Sequence, residues 1–348
     1  KKAKKIFITI PVEEGNRYSI GKIILEGDDT LTSKDLRKAI NSKEGEIYNL
    51  SQIREDVIAI TELYSEKGFA YADVSPLTKI DDTKKRVDLE FKADRGRKVY
   101  VGQIDIAGNT KTLDNVIRRE FRLKEGELFN GKKLKRTKQR INNLGFFEDV
   151  KIDTKPGKEP DKLDVETTVT EKPTGSFTIG AGFSSVENLI FSASVSQDNI
   201  FGRGQKLAFS TELSSRRNNF NVSFTDPRLL DSDVTAGVDL FNRKSDFFSF
   251  ESRNRGGGVR FGKAIGEYDW LGLNYRYENV RTSDIQPEEE TSFLFNGERT
   301  TSRISPTYIR DTRDNFLNPS KGWRHVAKID IGGLGGLKFY RANYEVTY

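Results

Sequence analysis

Hydrophobic and polar side chains alternate along the second half of the chain, from residue 175 to the last residue. Between Tyr340 and Tyr348, for example, every even position is apolar or aromatic and every odd position is polar. Successive side chains of a β-strand point to opposite faces, so each such segment predicts a strand with one apolar and one polar face. Segments of about ten residues have the length of a tilted strand that crosses a bilayer.

Ten such strands are predicted. They cover about 177–184, 189–197, 205–214, 218–225, 233–243, 249–262, 269–281, 299–311, 322–332 and 338–348. Turn residues separate neighbouring strands, and the polar faces can line a lumen. The pattern predicts part of an antiparallel transmembrane β-barrel.

The connections between these strands alternate in character. One set has firm turn chemistry: Gly202-Arg203-Gly204, Asp226-Pro227, Gly266-Glu267, and Asn318-Pro319 through Gly322. The other set is looser: 214–219, 244–248, and 283–297 with Glu288-Glu289-Glu290. Bacterial outer-membrane barrels have tighter turns on the periplasmic side, so the firm set is assigned to that side.

The first half contains an internal repeat. YSIGKIILEG at 18–27 matches VYVGQIDIAG at 99–108, and KEGEIYN at 43–49 matches KEGELFN at 124–130, both at an offset of 81 residues. KGFAYADV at 67–74 then matches LGFFEDV at 144–150 after a four-residue deletion. A fixed period of this size indicates tandem copies of one small unit.

Each copy is predicted to have the order β-α-α-β-β. A polar cap opens the first helix, Thr32 or Ser33 in the first copy and Thr112 in the second. Gly68 and Gly145 end the second helix as C-cap glycines do. Residues 1–16 resemble the closing strand of a preceding unit, at 6–14. The predicted domains are 1–16, 17–96, 97–173 and 174–348.

Composition narrows the class of protein further. The 348 residues have a mean hydropathy of −0.64, and no run of about 18 apolar residues predicts a membrane-spanning helix. The chain lacks Cys and Met, so disulfides and thiol nucleophiles are excluded, and we expect an excised fragment whose targeting segment is missing. The net charge of +6 includes one dense basic cluster, which is either a solvated helix face or a patch for phosphates of lipid or nucleic acid: Lys132, Lys133, Lys135, Arg136, Lys138 and Arg140.

Enzyme chemistry finds no support in the sequence. His325, the only histidine, alternates with apolar residues in a predicted strand and is expected at the rim of the wall. The stretch 126–132 resembles a phosphate-binding loop, but Lys133 stands where Ser or Thr is required, so it is predicted to be a structural turn. Local ion pairing with arginines explains Asp311 and Asp314 better than a metal does. No catalytic, cofactor or metal residues are assigned, and Gly256-Gly257-Gly258 is interpreted as a bend or a close backbone approach.

Four motifs resemble the outer-membrane protein assembly factor family, BamA and its relatives. They are LGFFEDV at 144–150, NIFGRGQ at 199–205, FTDPRLL at 224–230 and IRDTRDNFLNPSKGWR at 309–324. The turn residues that carry the last three are Gly202, Arg203, Gly204, Asp226, Pro227, Asp311, Arg313, Asp314, Pro319 and Gly322. The resemblance implies α+β tandem POTRA domains followed by the first ten of sixteen barrel strands. The family's V-R-G-F/Y loop motif is absent from this sequence.

The resemblance also implies a function and a location. The POTRA domains would lie in the periplasm and receive unfolded outer-membrane proteins, with accessory periplasmic lipoproteins as further partners. The barrel would contact outer-membrane lipid, and no nucleic-acid partner is implied. The first barrel strand would pair with client strands at its edge: Phe177, Thr178, Ile179, Gly180, Ala181, Gly182 and Phe183.

Glycines at 180 and 182 either weaken this edge so that it opens or relieve crowding in a curved wall. Three other functions stay open at this point. The nearest alternative is a two-partner secretion transporter, which exports a protein through a barrel of the same architecture. A passive porin and a soluble β-rich binding domain are the remaining two.

Overall fold

The structure is a computed structural model that describes residues 16–286, 296–313 and 319–348. Four sequence predictions lie outside these residues. They are the strand at 6–14, the Glu288-Glu289-Glu290 loop and the turn residues Asp314 and Asn318. The chain divides into two compact units. The second unit comprises 109–116, 144–148 and 171–348, and the first contains most of both repeats.

The first repeat has the predicted β-α-α-β-β order. Its elements are β1 Ser19–Leu25, α1 Ser33–Ala39, α2 Leu50–Glu66, β2 Asp73–Asp81 and β3 Arg86–Asp94. The sheet order is β1-β3-β2, with β1 parallel and β2 antiparallel to β3. Ile53, Ile60 and Tyr64 of α2 are buried against the sheet, as their helical spacing predicts.

The second repeat has the same order and the same sheet topology. Its elements are β4 Tyr100–Ala107, α3 Asp114–Arg118, α4 Gly131–Asn143, β5 Phe147–Pro156 and β6 Lys162–Glu171, with sheet order β4-β6-β5. The Gly126 N–H donates to the Val101 carbonyl at 2.8 Å, as that of Gly45 does to the Ile20 carbonyl. The stretch that resembled a phosphate loop is therefore a structural turn of the repeat.

The predicted N-cap of the first helix is correct in the first copy and wrong in the second, whereas both predicted C-cap glycines are correct. Thr32 caps α1 in a reciprocal capping box with Asp35. In the second copy α3 begins at Asp114, so Thr112 lies one position too early to cap it. The Thr112 hydroxyl instead accepts a hydrogen bond from Asn199, and this contact replaces a capping role. Gly68 and Gly145 have φ of +99° and +75°, as C-cap glycines require.

The basic cluster on α4 lies where the two repeats meet. Lys132 Nζ is 3.3 Å from a Glu66 carboxylate oxygen, and Lys135 Nζ is 3.0 Å from one of Glu62, both on α2. Two more cluster members pair within their own repeat, Lys133 with Glu127 and Arg140 with Glu120. These contacts indicate a helix face that joins the repeats, rather than a patch that binds phosphate groups.

The described residues of the second half form one ten-stranded sheet. Its strands are β7 Gly175–Ser184, β8 Asn188–Ile200, β9 Gln205–Leu213, β10 Arg217–Asp226, β11 Val234–Asp246, β12 Glu251–Ala264, β13 Asp269–Ser283, β14 Gly297–Asp311, β15 Arg324–Gly336 and β16 Phe339–Thr347. Each pairs antiparallel with its neighbour in sequence, so β7 and β16 are at the two ends. All ten predicted strands are present, with ends that shift by a few residues.

The two faces of the sheet differ in the way the alternation predicts. One cross-strand row consists of Phe177, Val195, Phe209, Val222 and Leu240, and all five side chains are exposed. The row beside it, on the opposite face, is Thr178, Ser194, Ser210 and Asn221. An exposed apolar surface of this extent fits contact with lipid rather than with water.

Two of the three connections predicted to be looser are short in the structure, and the third, 283–297, lies partly outside the described residues. The connections 214–216 and 247–250 are as short as the firm turn 265–268. Local hydrogen bonds account for this, because the Ser214 hydroxyl accepts from Arg217 N and the Arg217 guanidinium is 2.9 Å from Glu187. Among the described residues, no helix is both long and apolar enough to span a membrane.

Candidate functional site

Strand β7 is an edge of the large sheet. Over its full length it pairs with β8, from Gly175 opposite Gln197 to Ser184 opposite Asn188. No other strand among the described residues pairs with it. Within the described residues, the backbone N–H and C=O groups along its second edge have no strand partner.

The predicted edge residues divide between the two faces of β7. Phe177, Ile179 and Phe183 are 67%, 68% and 78% exposed on the apolar face, which Ala181 shares. Thr178 and the two glycines lie on the polar face.

Crowding does not explain the glycines of β7. A Cβ atom at Gly182 would meet nothing within 4 Å. A Cβ atom at Gly180 would lie 2.6 Å from the Ser192 hydroxyl, a contact that rotation of the serine relieves. Gly182 in particular leaves out side-chain contacts that this position has room for.

The chain enters β7 through Lys172, Pro173 and Thr174. The Lys172 N–H donates to the Phe146 carbonyl at 3.0 Å, and the Thr174 carbonyl accepts from Asp198 N at 3.0 Å. Pro173 has no N–H. In the segment ahead of β7, one N–H and one carbonyl are thus already bonded and one N–H is missing.

The predicted turn Gly202-Arg203-Gly204 contacts the loop 109–113. Asn199 Nδ2 donates to the Thr112 hydroxyl at 2.8 Å, and Asn199 Oδ1 accepts from Gly204 N at 2.7 Å. The Leu113 N–H donates to the Gly202 carbonyl at 3.0 Å. Gly202 has φ +71°, and a Cβ atom there would lie 2.0 Å from the Lys111 carbonyl oxygen, so this contact requires glycine.

Glu171, the last residue of β6, holds the same loop from the other side. Its carboxylate accepts hydrogen bonds from Thr110 Oγ1 at 2.8 Å, Lys111 N at 2.9 Å and Thr112 N at 2.6 Å. Partial burial acts to raise the pKa of Glu171, but the hydrogen bonds outweigh it and the pKa lies below its ordinary value.

A cleft of about 540 Å³ opens at the start of β7. Lys111, Lys172, Thr174, Gln197 and Phe201 are among the residues that line it. Both lysines are exposed, and neither ammonium group has a carboxylate within 4.0 Å in the described part of the chain.

The other two turn motifs form separate hydrogen-bonded turns at the same end of the sheet. Asp226 accepts from Arg228 N at 2.9 Å, and Pro227 follows it. Asp311 accepts from the Arg313 guanidinium at 2.7 and 2.8 Å. Gly322 has φ +98° and lies against Thr312, whose N–H donates to the Trp323 carbonyl. Pro319 begins the last described segment. The structure does not bring the three turns into one cluster.

Sequence reasoning missed an aromatic residue on the polar face. Phe241 of β11 is only 6% exposed, and the guanidinium groups of Arg243 and Arg276 lie 4.9 and 4.7 Å from its ring centroid. It packs over Gly256, where a Cβ atom would lie 2.8 Å from Phe241 Cζ and 2.2 Å from the Tyr277 carbonyl oxygen. The three consecutive glycines were the available signal, and the interpretation as a close backbone approach is correct.

His325 lies in β15 with its Nδ1 atom 2.9 Å from the Tyr344 hydroxyl. Across the described ranges, His, Asp and Glu residues form no group of three that could hold a metal ion.

Comparison with known proteins identifies the family. The model of the Omp85 superfamily domain matches residues 199–348. The POTRA model, described as a surface antigen variable number repeat, matches residues 18–96 and 99–172. The chain carries an Omp85 superfamily domain. These matches confirm the resemblance drawn from the motifs and the expected location in the outer membrane, with the POTRA repeats in the periplasm.

Curated relatives in this superfamily are named outer membrane protein assembly factor BamA. The chain is 30% identical over 338 residues to the protein of Nitratidesulfovibrio vulgaris, covering 95% of this chain and 43% of the relative. It is 31% identical over 363 residues to that of Neisseria meningitidis serogroup B, covering 98% of this chain and 46% of the relative. The chain therefore spans less than half the length of these relatives.

Two solved Omp85-type structures share the fold. BamA from Haemophilus ducreyi lacking POTRA domains 1–3 matches with a TM-score of 0.71 at 22% identity, over 94% of this chain and 66% of that chain. CdiB from Escherichia coli matches with a TM-score of 0.53 at 14% identity, over 99% and 68%. CdiB, which represents the two-partner secretion alternative, is the more distant of the two.

Proposed function

We propose that this chain takes part in the folding and insertion of β-barrel proteins in the outer membrane. One observation carries the proposal: β7 pairs on one side only among the described residues, and its backbone edge is open. A client strand that enters lipid must satisfy its backbone N–H and C=O groups, since water is no longer available to them. The β7 edge offers these partners one strand at a time.

The other parts of the chain have roles that follow from strand pairing at β7. The POTRA repeats receive unfolded clients and accessory periplasmic lipoproteins, and the apolar face of the large sheet contacts lipid. Strand β2 of the first repeat suits the receiving role because it lies at a sheet edge with Leu77 and Ile80 exposed. We also propose domain limits of 17–96, 97–173 and 174–348, with 1–16 as the closing strand of a preceding repeat.

Cysteine crosslinking tests the proposal. The chain has no native cysteine, so single substitutions give an unambiguous signal. Phe177→Cys on β7 is expected to crosslink in cells to a cysteine in the terminal strand of a barrel client during assembly. Leu240→Cys is the matched control, because it is exposed on the same face but lies in β11, which has neighbours on both sides.

Equal crosslinking at both positions, or none at Phe177, contradicts edge pairing. An exported protein crosslinked to the polar face instead, for example at Ser194→Cys, would favour the secretion alternative.

A further inference from the structure

The cleft at the start of β7 has no role in strand pairing itself. We propose that it binds the terminal carboxylate of a strand added to β7. The inference rests on the proposed function and specifies how the edge selects the end of a client chain.

Strand direction places the end of the added strand at the cleft. All nine pairings in the large sheet are antiparallel. A strand that continues this arrangement runs opposite to β7, so its C-terminal end lies beside Gly175. Gly175 is among the residues that line the cleft.

The backbone ahead of Gly175 stops the pairing there. Pro173 has no N–H to donate, and the Lys172 N–H is already bonded to the Phe146 carbonyl. The Thr174 carbonyl is bonded to Asp198 N on the β8 side. An added strand therefore finds no free N–H donor at Lys172 or Pro173, and its last residue reaches the cleft.

The charge of the cleft suits a carboxylate. Lys111 and Lys172 contribute two ammonium groups that the described residues leave without a carboxylate partner. Glu171 also lines the cleft, but its oxygens already accept three hydrogen bonds from the loop 109–113. The lining thus presents more positive than negative charge, and its negative charge is internally satisfied.

A neutral donor completes the arrangement. Gln197 Nε2 donates to the Thr174 hydroxyl oxygen at 2.8 Å and to the Asp198 carbonyl at 2.9 Å. Both N–H bonds of that amide are then in use, and the Thr174 O–H remains free to donate into the cleft. The volume of about 540 Å³ lies within the range of sites that hold small ligands.

The test compares two peptides that differ only in the chemical group at the C-terminus. A fluorescent ten-residue peptide with alternating apolar and polar residues is titrated into the full chain in detergent micelles, once as the free acid and once as the C-terminal amide. We expect the free acid to bind about tenfold more tightly, as for a charge-assisted contact. In the double variant Lys111→Gln with Lys172→Gln, the ratio is expected to fall towards one.

The matched control is Lys263→Gln with Lys338→Gln, which removes the same charge from two exposed lysines outside the cleft and keeps the tenfold ratio. Equal binding of acid and amide, together with crosslinking at Phe177→Cys, overturns this inference and leaves the proposed function intact. Absence of binding by either peptide, together with absence of that crosslink, overturns the proposed function and this inference with it.

Discussion

Gly202 sets how closely the first turn of the large sheet approaches the loop 109–113. We predict that Gly202→Ala loosens this contact, because a Cβ atom would lie 2.0 Å from the Lys111 carbonyl oxygen. Hydrogen–deuterium exchange of peptides that contain residues 109–113 should increase.

Gly126→Ala is the control for Gly202→Ala. Gly126 also has positive φ, +82°, but a Cβ atom there meets nothing within 4 Å. This control shows the cost of the left-handed conformation alone, about 1 kcal/mol. Equal local effects of the two substitutions would show that the close approach contributes nothing.

Glu171 makes the same loop sensitive to pH. Its pKa in the folded chain lies below the ordinary value of 4.5. The carboxylate therefore contributes stability above pH 4.5, and this contribution is lost as the pH falls through the folded pKa. After correction for intrinsic exchange rates, we expect the exchange protection of the Lys111 and Thr112 amides to decrease below pH 4.5.

Glu171→Gln provides the comparison. The amide cannot ionise, so protection of the loop should be weaker at neutral pH and should no longer change in the acid range. A pH dependence that persists in this variant would place the titrating group elsewhere.

At the scale of elements, Asn130 serves two helices at once. Its Oδ1 accepts from Lys133 N at 2.9 Å and so caps α4, while its Nδ2 donates to the Glu66 carbonyl at the end of α2. We predict that Asn130→Ala lowers the free energy of unfolding of the repeats by about 1–2 kcal/mol. Urea unfolding followed by helical circular dichroism measures this change, because the described α-helices all lie in the repeats.

Asn49 offers a matched position for this experiment. It caps α2 by accepting from Ser51 N at 2.9 Å, and it is the counterpart of Asn130 in the first repeat. Asn49→Ala should cost only the cap, about 1 kcal/mol. If the two variants are equally destabilised, the hydrogen bond from Asn130 to the Glu66 carbonyl contributes nothing to the free energy of unfolding.

Strands and helices were predictable because each depends on a short-range pattern. Alternation identified all ten strands of the large sheet, and the repeat offset aligned both copies of the β-α-α-β-β unit. Contacts between distant segments were not predictable in the same way. Thr112 looks like a helix cap in the sequence, but its hydroxyl accepts a hydrogen bond from Asn199, which is 87 residues away.

The candidate site was also only partly predictable from the sequence. The edge strand 177–183 and its glycines were visible in the sequence, since position and composition mark them. The cleft was not, because its lining comes from four separate stretches around residues 111, 146, 172 and 197. Phe241 was also missed, since alternation assigns a polar side chain to the face on which it packs.

At the scale of the whole molecule, the apolar face of the sheet is expected to lie in lipid. Val195 and Ser194 are neighbours near the middle of β8 that point to opposite faces. We predict that Val195→Arg destabilises the sheet in lipid vesicles by about 2–4 kcal/mol, the cost of a cation near the bilayer midplane. Ser194→Arg, on the polar face, should have a small effect. Urea unfolding monitored by the fluorescence of Trp270 and Trp323 gives both values.

The order of the sheet has a consequence for how this protein is made. In the described part of the chain, every strand from β7 to β16 hydrogen-bonds only to the strands just before and just after it in sequence. Such a sheet has no crossover connection, so it can grow by repeated addition of one strand to an exposed edge. That is the operation proposed for β7 and its clients. Under the proposed function, a newly synthesised copy meets the structural requirements of a client, and an existing copy in the membrane serves as its template.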